Sequence, residues 1–377
     1  MILGAPREIL EIAAADTNLP ADAGLAWHGL TQLHDAAISE SDLSPFGELA
    51  LAGNTLRKLK NWLTLEHLSL DGHAAPRAPT TFIVGLPRTG TTMLHNMMAL
   101  ESGTGYLRHF ELTNCWWLLG GESAEHALTD VIMRLDLVDA VEPELRDLHP
   151  ASALWPDECT LLFEAMFMSY QWPITYGLPG YFDWLDAEDP GPYYSAFSQV
   201  VSTIVYPADY HRLLLKSPVH TLHIDQLAMR FPDANFVQIV RPACEIAASW
   251  LALLHVAYRM THCNPMPKSL AQRWLEFLAR LALFSIDLSS SGSCLVFSFT
   301  ELCAEPTNVV RQILANDGRT LAPAHSASIR EWALGPESLR RARPRTLEDF
   351  GLSRADLPEE LFAYDQWFGS RGLGVPK

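Results

Sequence analysis

The chain predicts an α/β protein: a parallel sheet flanked by helices, preceded by a helical N-terminal segment. Three observations carry this. Short apolar runs at 80–84, 212–217, 235–241 and 294–299 alternate with long stretches of helical apolar spacing. Strands that alternate with helices make parallel neighbours, and helices then cover both faces. Polar residues suited to binding, Gly85 to Arg88, Lys216 to His220 and Arg241, fall at the carboxyl ends of these runs. Ligands sit there in such sheets.

In chain order, residues 1–75 read as helical and 76–377 as a second unit on which they pack. Ile9-Leu10-Ile12-Ala13, then Leu25-Trp27-Leu30-Leu33, then Leu56-Leu59-Trp62-Leu63 recur near helical spacing. These helices either cover the core, close over a substrate pocket or form a homodimer face. After the run at 80–84, Met93, Leu94, Met97, Met98 and Leu100 mark a helix. Tyr106 to Glu111 reads as extended, and 124–170 as helical. Residues 171–192 carry Trp172, Pro173, Tyr176, Pro179, Tyr181, Phe182 and Trp184, a composition that suits a loop or lid. Then come strand 212–217, helix 219–230, strand 235–241, helices 243–260 and 269–289, strand 294–299 and a helical tail. No repeat or low-complexity tract interrupts this order.

The segment Thr80 to Leu94 has the layout of a phosphate-cradling loop: strand, Gly-containing turn, helix start. The helix start offers unpaired N–H groups and partial positive charge. Gly90 permits close backbone approach, and Thr89, Thr91 and Thr92 add hydroxyls. Gly85 and Gly90 have the spacing of a nucleoside triphosphatase loop, but Thr91 stands where that loop has Lys. The cation is Arg88 instead, which favours a smaller anionic group over a γ-phosphate with Mg²⁺.

A second segment adds to this. Asn235 to Val240 reads as a buried strand that ends in Arg241. After Pro242, a helix-like run carries Ser249 eight residues beyond Arg241, about two turns in. Both can reach one phosphate at the mouth of the sheet.

Together these segments resemble sulfotransferases that use 3′-phosphoadenosine 5′-phosphosulfate (PAPS), in their bacterial branch. Gly85-Leu86-Pro87-Arg88-Thr89-Gly90-Thr91-Thr92 is similar to the family's 5′-phosphosulfate loop, and Arg241 with Ser249 to its 3′-phosphate site. Leu213-Leu214-Leu215-Lys216-Ser217-Pro218-Val219-His220 resembles a bacterial Leu-Lys-Ser-Pro-x-His strand. Leu295 to Leu302 with Glu305-Pro306, His149-Pro150, Pro156-Asp157-Glu158-Cys159 and Thr346 to Leu352 also match. The resemblance spans roughly residues 78–370. It departs from the cytosolic animal branch at Arg88, where that branch has Lys. It implies a P-loop-NTPase-like sulfotransferase fold and transfer of sulfonate from PAPS to a hydroxyl, with 3′-phosphoadenosine 5′-phosphate (PAP) as product and no metal.

The resemblance also implies roles. Pro87 to Thr92, Arg241 and Ser249 hold the donor, and Lys216 reaches the bridging oxygen or the transferring group. The base is Glu111, as in bacterial and tyrosyl-protein relatives with a Glu in this neighbourhood, or His220, which follows Lys216 much as a Lys-x-His pair does elsewhere. His149 and Glu158 rank behind them. The cluster Arg340-Arg341-Ala342-Arg343-Pro344-Arg345 is either a solvated face or a flap onto the 3′-phosphate.

Composition limits the partners. The formal net charge is −17, which argues against nucleic acid and disfavours a strongly anionic acceptor. The aromatics of 171–184 and Trp116-Trp117 point to a small apolar or aromatic hydroxyl acceptor. No charge-free 18-residue apolar stretch reads as a transmembrane helix, and the N-terminus does not read as a signal peptide. Six scattered Cys without metal-site spacing suit reduced thiols in a cytoplasm. Two other readings are a P-loop phosphotransferase and a non-catalytic nucleotide-binding relative.

Overall fold

A computed structural model describes residues 4–70, 78–207, 209–335 and 345–372. Three helices lead: α1 (Pro6–Thr17), α2 (Ala26–Glu40) and α3 (Pro45–Leu70). Strand β1 (Thr80–Val84) then feeds α4 (Thr91–Ala99), followed by β2 (Thr104–Gly105). A run of short helices follows: α5 (His109–Thr113), α6 (Ala124–Val141), α7 (Pro143–Leu148), α8 (Thr160–Ala165), α9 (Gln171–Tyr176), α10 (Pro179–Ala187) and α11 (Gly191–Ile204). Next are β3 (Arg212–Lys216), a 3₁₀ turn at Pro218–His223, α12 (Ile224–Arg230), β4 (Asn235–Val240), α13 (Ala243–Thr261), α14 (Lys268–Ser290) and β5 (Cys294–Ser298). Helices α15 (Phe299–Ala304), α16 (Pro306–Asn316), α17 (Pro323–Leu334) and α18 (Glu359–Ser370) complete the chain.

The five strands are parallel, in the order β2-β3-β1-β4-β5. Strand β1 is central, with Phe82 level with Leu215 on one side and Phe236 on the other. The chain fills the β2-β3 side first and then crosses β1 to build β4 and β5. The order therefore reverses at β1, and a crevice opens beyond its carboxyl end.

Side-chain alternation divides the core. Phe82, Val84, Leu213, Leu215 and Phe236 join a large cluster with α1–α3, α13, α14 and α18. Ile83, Leu214, Val237 and Ile239 point to the other face, against Leu94 and Met97 of α4 and Val309, Val310 and Ile313 of α16. By this parity Lys216 shares the α4 face with Leu214, and Ser217 takes the opposite face.

Three sequence expectations change. Tyr106 to Glu111 is extended only as far as Arg108: Tyr106 and Arg108 form isolated bridges to Tyr206 and Pro156, and His109 to Glu111 lie in α5. Residues 149–159 break the expected helix between α7 and α8. Residues 171–192 are not a lid. Pro173 and Pro179 sit in the first turns of α9 and α10, where Pro is tolerated, and Gly177 caps α9 at φ +61°. Trp172, Tyr176, Tyr181 and Phe182 are buried, with Trp172 stacked on Phe167 and Phe182 edge-on to Trp274. The breaker composition punctuates two short core helices.

Candidate active site

The site forms in the crevice beyond β1. The turn after β1 bends through Gly85 (φ +96°), Arg88 (φ +64°) and Gly90 (φ +99°). A Cβ on Gly90 would stand 2.8 Å from the Phe299 ring, so the backbone there needs both glycine's left-handed geometry and its lack of side chain. Arg88 in the left-handed region is unusual for a residue with Cβ, and such strain concentrates at binding sites. No side chain caps α4, so the amides of its first turn keep their donors for a ligand. Thr91 is buried and Thr92 partly exposed, while Pro87 is buried in the turn. Thr89 differs from expectation: its hydroxyl donates to the Leu86 carbonyl at 3.0 Å and braces the loop from inside.

Three cations surround this loop. Arg88 donates from Nε to Ser249 Oγ at 3.0 Å and from a terminal nitrogen to the Leu148 carbonyl at 2.7 Å. Among the described residues no carboxylate pairs with it. Burial and the neighbouring Arg241 push its pKa down to about 10, with Glu158 opposing, so it stays charged at neutral pH. Arg241 leaves the end of β4, lies over the Phe299 ring at 4.8 Å, pairs with Glu245 at 2.7 Å and donates to the Arg88 carbonyl at 3.3 Å. Lys216 ends β3 and is 1% exposed. Its ammonium meets Glu158 Oε1 at 2.6 Å and lies 3.5 Å from Thr92 Oγ1. Arg88, Arg241, Ser249, Lys216 and Thr92 are thus brought together.

The acid-base candidates separate. Both oxygens of Glu111 are taken by Arg108, at 3.0 and 2.5 Å. Burial nevertheless raises the Glu111 pKa above the ordinary value, with Arg108 opposing. His220 lies on the opposite face from Lys216, packed edge-on against Phe82 and Phe163, with Nδ1 2.8 Å from the Tyr194 hydroxyl. Burial pushes its pKa down to about 3. The two candidates ranked behind them stand in the crevice. Glu158 touches Lys216 and keeps Oε2 without a protein partner among the described residues. Burial holds His149 below the ordinary imidazole range; Asp157 and Glu158 oppose this, and Arg88 and Lys216 add to it. His149 therefore lies in the field of all four.

Two residues of the site escaped the sequence reading. Asp157 Oδ2 lies 2.6 Å from His109 Nδ1, and its Oδ1 accepts the Glu158 amide at 2.6 Å. Burial opposes ionisation of Asp157, but the His109 contact and the charges of Lys216 and His149 hold it well below the usual carboxylate range. No periodicity could pair His109 with Asp157 across 48 residues.

The aromatics expected around an acceptor are placed differently. Those of 171–184 are in the core, but Trp117 stacks with Phe110 beside Leu128, Val131, Leu135 and Ala153. This small apolar cluster flanks His109 on α5. Of the basic cluster, residues 340–344 lie outside the described residues, and Arg345 pairs with Glu144, which also binds Arg259 at 2.8 Å. No helix among the described residues is long and apolar enough to cross a membrane.

This arrangement belongs to a P-loop-like α/β protein whose loop has Thr91 at the position of the phosphotransferase Lys and Arg88 as its cation. The sulfotransferase family model matches residues 79–322, and the chain belongs to that family. Two curated relatives are similar over 194 residues at 26% identity: omega-hydroxy-beta-dihydromenaquinone-9 sulfotransferases Stf3 of Mycobacterium bovis and Mycobacterium tuberculosis. That alignment covers 48% of this chain and 47% of each relative, so the chain spans about half the length of the curated relatives it matches. The fold is similar to solved sulfotransferases STF1 of Mycobacterium tuberculosis (TM-score 0.77, 21% identity, 98% of this chain and 99% of that one) and STF9 of Mycobacterium avium (TM-score 0.75, 19% identity, 97% and 95%).

Proposed function

We propose that the chain transfers the sulfonate group of PAPS to a hydroxyl of a small apolar molecule. The observation that carries this reading is the convergence of Arg88, Arg241 and Lys216 on an uncapped helix N-terminus, with a Thr where a phosphotransferase needs Lys. When bound, PAPS supplies the sulfonate. Arg88, the α4 amides, Thr91 and Thr92 hold its 5′ end, and Arg241 with Ser249 its 3′-phosphate. The Ser249 oxygen accepts from Arg88, which leaves its O–H free to donate to that phosphate. Lys216 has three N–H donors and can meet the charge that grows on the leaving oxygen.

Glu158 takes the acceptor proton in this reading, in place of Glu111 or His220. Its Oε2 has no protein partner among the described residues, whereas both Glu111 oxygens are held by Arg108 and His220, though its Nε2 is unpaired, is buried against Phe82 and Phe163 away from Lys216. The Phe110–Trp117 cluster favours an apolar acceptor. So does the hydroxylated lipoquinone in the name of the mycobacterial relatives. A cytoplasmic location and the split into a helical segment at 1–75 and a transferase unit at 76–377 belong to the same proposal.

Ligand-induced stabilisation tests the donor assignment. At about 100 Kd a ligand adds roughly 2.7 kcal/mol, so PAP raises Tm while adenosine 5′-phosphate and ATP leave it nearly unchanged. Equal shifts from all three would remove the 3′-phosphate site, and a shift from ATP with Mg²⁺ alone would restore the phosphotransferase reading.

A further inference from the structure

Residues 157–159 are fixed by three consecutive backbone amides. The Asp157 N–H donates to the Leu107 carbonyl at 2.9 Å, Glu158 N–H to Asp157 Oδ1 at 2.6 Å, and Cys159 N–H to the Lys216 carbonyl at 2.9 Å. Two of these bonds tie the segment to its neighbours, and the middle one runs through the Asp157 side chain. That side chain is itself held from a third direction, by His109 Nδ1 on α5 at 2.6 Å. The contact is shielded: His109 is 16% and Asp157 17% exposed at the side chain. His109 is fixed in turn, because its amide donates to the Trp155 carbonyl at 3.0 Å.

The clamp acts on the residue that meets Lys216. Glu158 is partly open, and among the described residues its carboxylate has one hydrogen-bonded partner, Lys216 Nζ. A side chain with one anchor takes its direction from its backbone. Asp157 sets that backbone, and His109 sets Asp157. We infer that His109 and Asp157 are positioning residues that aim the Glu158 carboxylate at Lys216 and at the acceptor hydroxyl. This rests on the reading of Glu158 as proton acceptor. The charged and titratable groups that face Asp157 are His95, His109, His149 and Lys216. The clamp needs none of them to change protonation, because it works through hydrogen bonds to fixed atoms.

The chemistry of the amide distinguishes aiming from charge. In Asp157→Asn, the amide oxygen still accepts from the Glu158 N–H, and the amide nitrogen can donate to His109 Nδ1 in the other tautomer. In Asp157→Ala both bonds are lost. A misplacement of about 1 Å can cost about a hundredfold in rate.

The test combines turnover, PAP binding and a crystal structure. Sulfonate transfer from radiolabelled PAPS is measured with 2-naphthol and with farnesol, and PAP affinity by calorimetry. Asp157→Ala lowers kcat about tenfold to a hundredfold with PAP affinity unchanged, His109→Ala lowers it in the same direction, and Asp157→Asn restores most of it. In crystals of His109→Ala and Asp157→Ala, Glu158 leaves Lys216 or takes several orientations. That readout needs no acceptor. Glu158 seated on Lys216 in both crystals would overturn the inference, as would an equal kcat loss in Asp157→Asn and Asp157→Ala, or a PAP affinity that falls in step with kcat. Glu158→Gln separates the two claims. Full activity there removes Glu158 as base, whereas an inactive Glu158→Gln beside fully active clamp variants removes only the clamp.

Discussion

Arg88 Nε donates to Ser249 Oγ at 3.0 Å, joining residues 161 positions apart. One residue lies in the turn after β1 and the other two turns into α13. Their bond links the two ends of the anion site, since Ser249 orients the guanidinium while its own proton stays available. Arg241 closes the arrangement from β4 by donating to the Arg88 carbonyl.

Arg241→Ala weakens PAP binding. A hydrogen bond to a charged group contributes about 1.5–3 kcal/mol, so the expected loss is about tenfold to a hundredfold. Calorimetry with PAP and with adenosine 5′-phosphate measures it. The loss is confined to PAP, and an equal loss for both nucleotides would place Arg241 elsewhere than at the 3′-phosphate.

Glu158→Gln, Glu111→Gln and His220→Asn identify the base. Removing a general base costs about 10²–10⁴ in rate. That loss is expected in Glu158→Gln with PAP binding retained, because Glu158 Oε2 has no protein partner among the described residues and both Glu111 oxygens are held by Arg108. A kcat collapse in Glu111→Gln with near-normal Glu158→Gln would return the role to α5.

Acid destabilises the fold through buried imidazoles. Burial pushes both His95 and His220 from 6.5 down to about 3, aided at His95 by Lys216. Below pH 6.5 the unfolded chain binds protons that these sites refuse. Stability present above pH 6.5 is therefore lost as pH falls toward 3, by up to about 1.4 kcal/mol per pH unit for each group. Urea unfolding between about pH 7 and pH 4 reads the slope, and His220→Asn makes it shallower. An unchanged slope in that variant would mean that His220 titrates normally.

Lys58 on α3 and Glu164 on α8 form an ion pair at 2.6 Å, 3% and 6% exposed. Burial lowers the Lys58 pKa, with Glu164 opposing. Removing one partner of a buried pair costs about 3–5 kcal/mol. Denaturant titration of Glu164→Gln should find a loss of that size, and the double variant Lys58→Met with Glu164→Gln should recover part of it. A loss below about 1 kcal/mol in the single variant would mean that water reaches the pair.

The sheet was legible because β1, β3, β4 and β5 are continuous apolar runs ended by Gly85, Lys216, Arg241 and Ser298. Their alternation with helices gave the parallel class. The candidate donor residues Arg88, Arg241 and Ser249 stood out for the same reason, lying just past a strand end or two turns beyond one. Strand β2 was missed because two residues carry no pattern. Residues 171–192 were misread because Pro and Gly break long helices but also start and cap short ones. The base candidates were ordered by resemblance, and resemblance cannot tell that Arg108 claims Glu111 or that the turn after β3 buries His220 against Phe82 and Phe163. The clamp of His109 on Asp157 depends on the bridge of Arg108 to Pro156, a contact between distant segments with no local signature.

Sulfonate transfer itself decides between the two donor chemistries. Purified protein is incubated with PAPS labelled in the sulfonate and, separately, with ATP labelled in the γ-phosphate, each with 2-naphthol or farnesol. Label is expected on the alcohol from PAPS alone, without added metal, lost in Glu158→Gln and strongly reduced in Arg88→Ala. Label from ATP, or PAPS bound tightly with no transfer to either alcohol or to a wider panel of apolar hydroxyls, would contradict it.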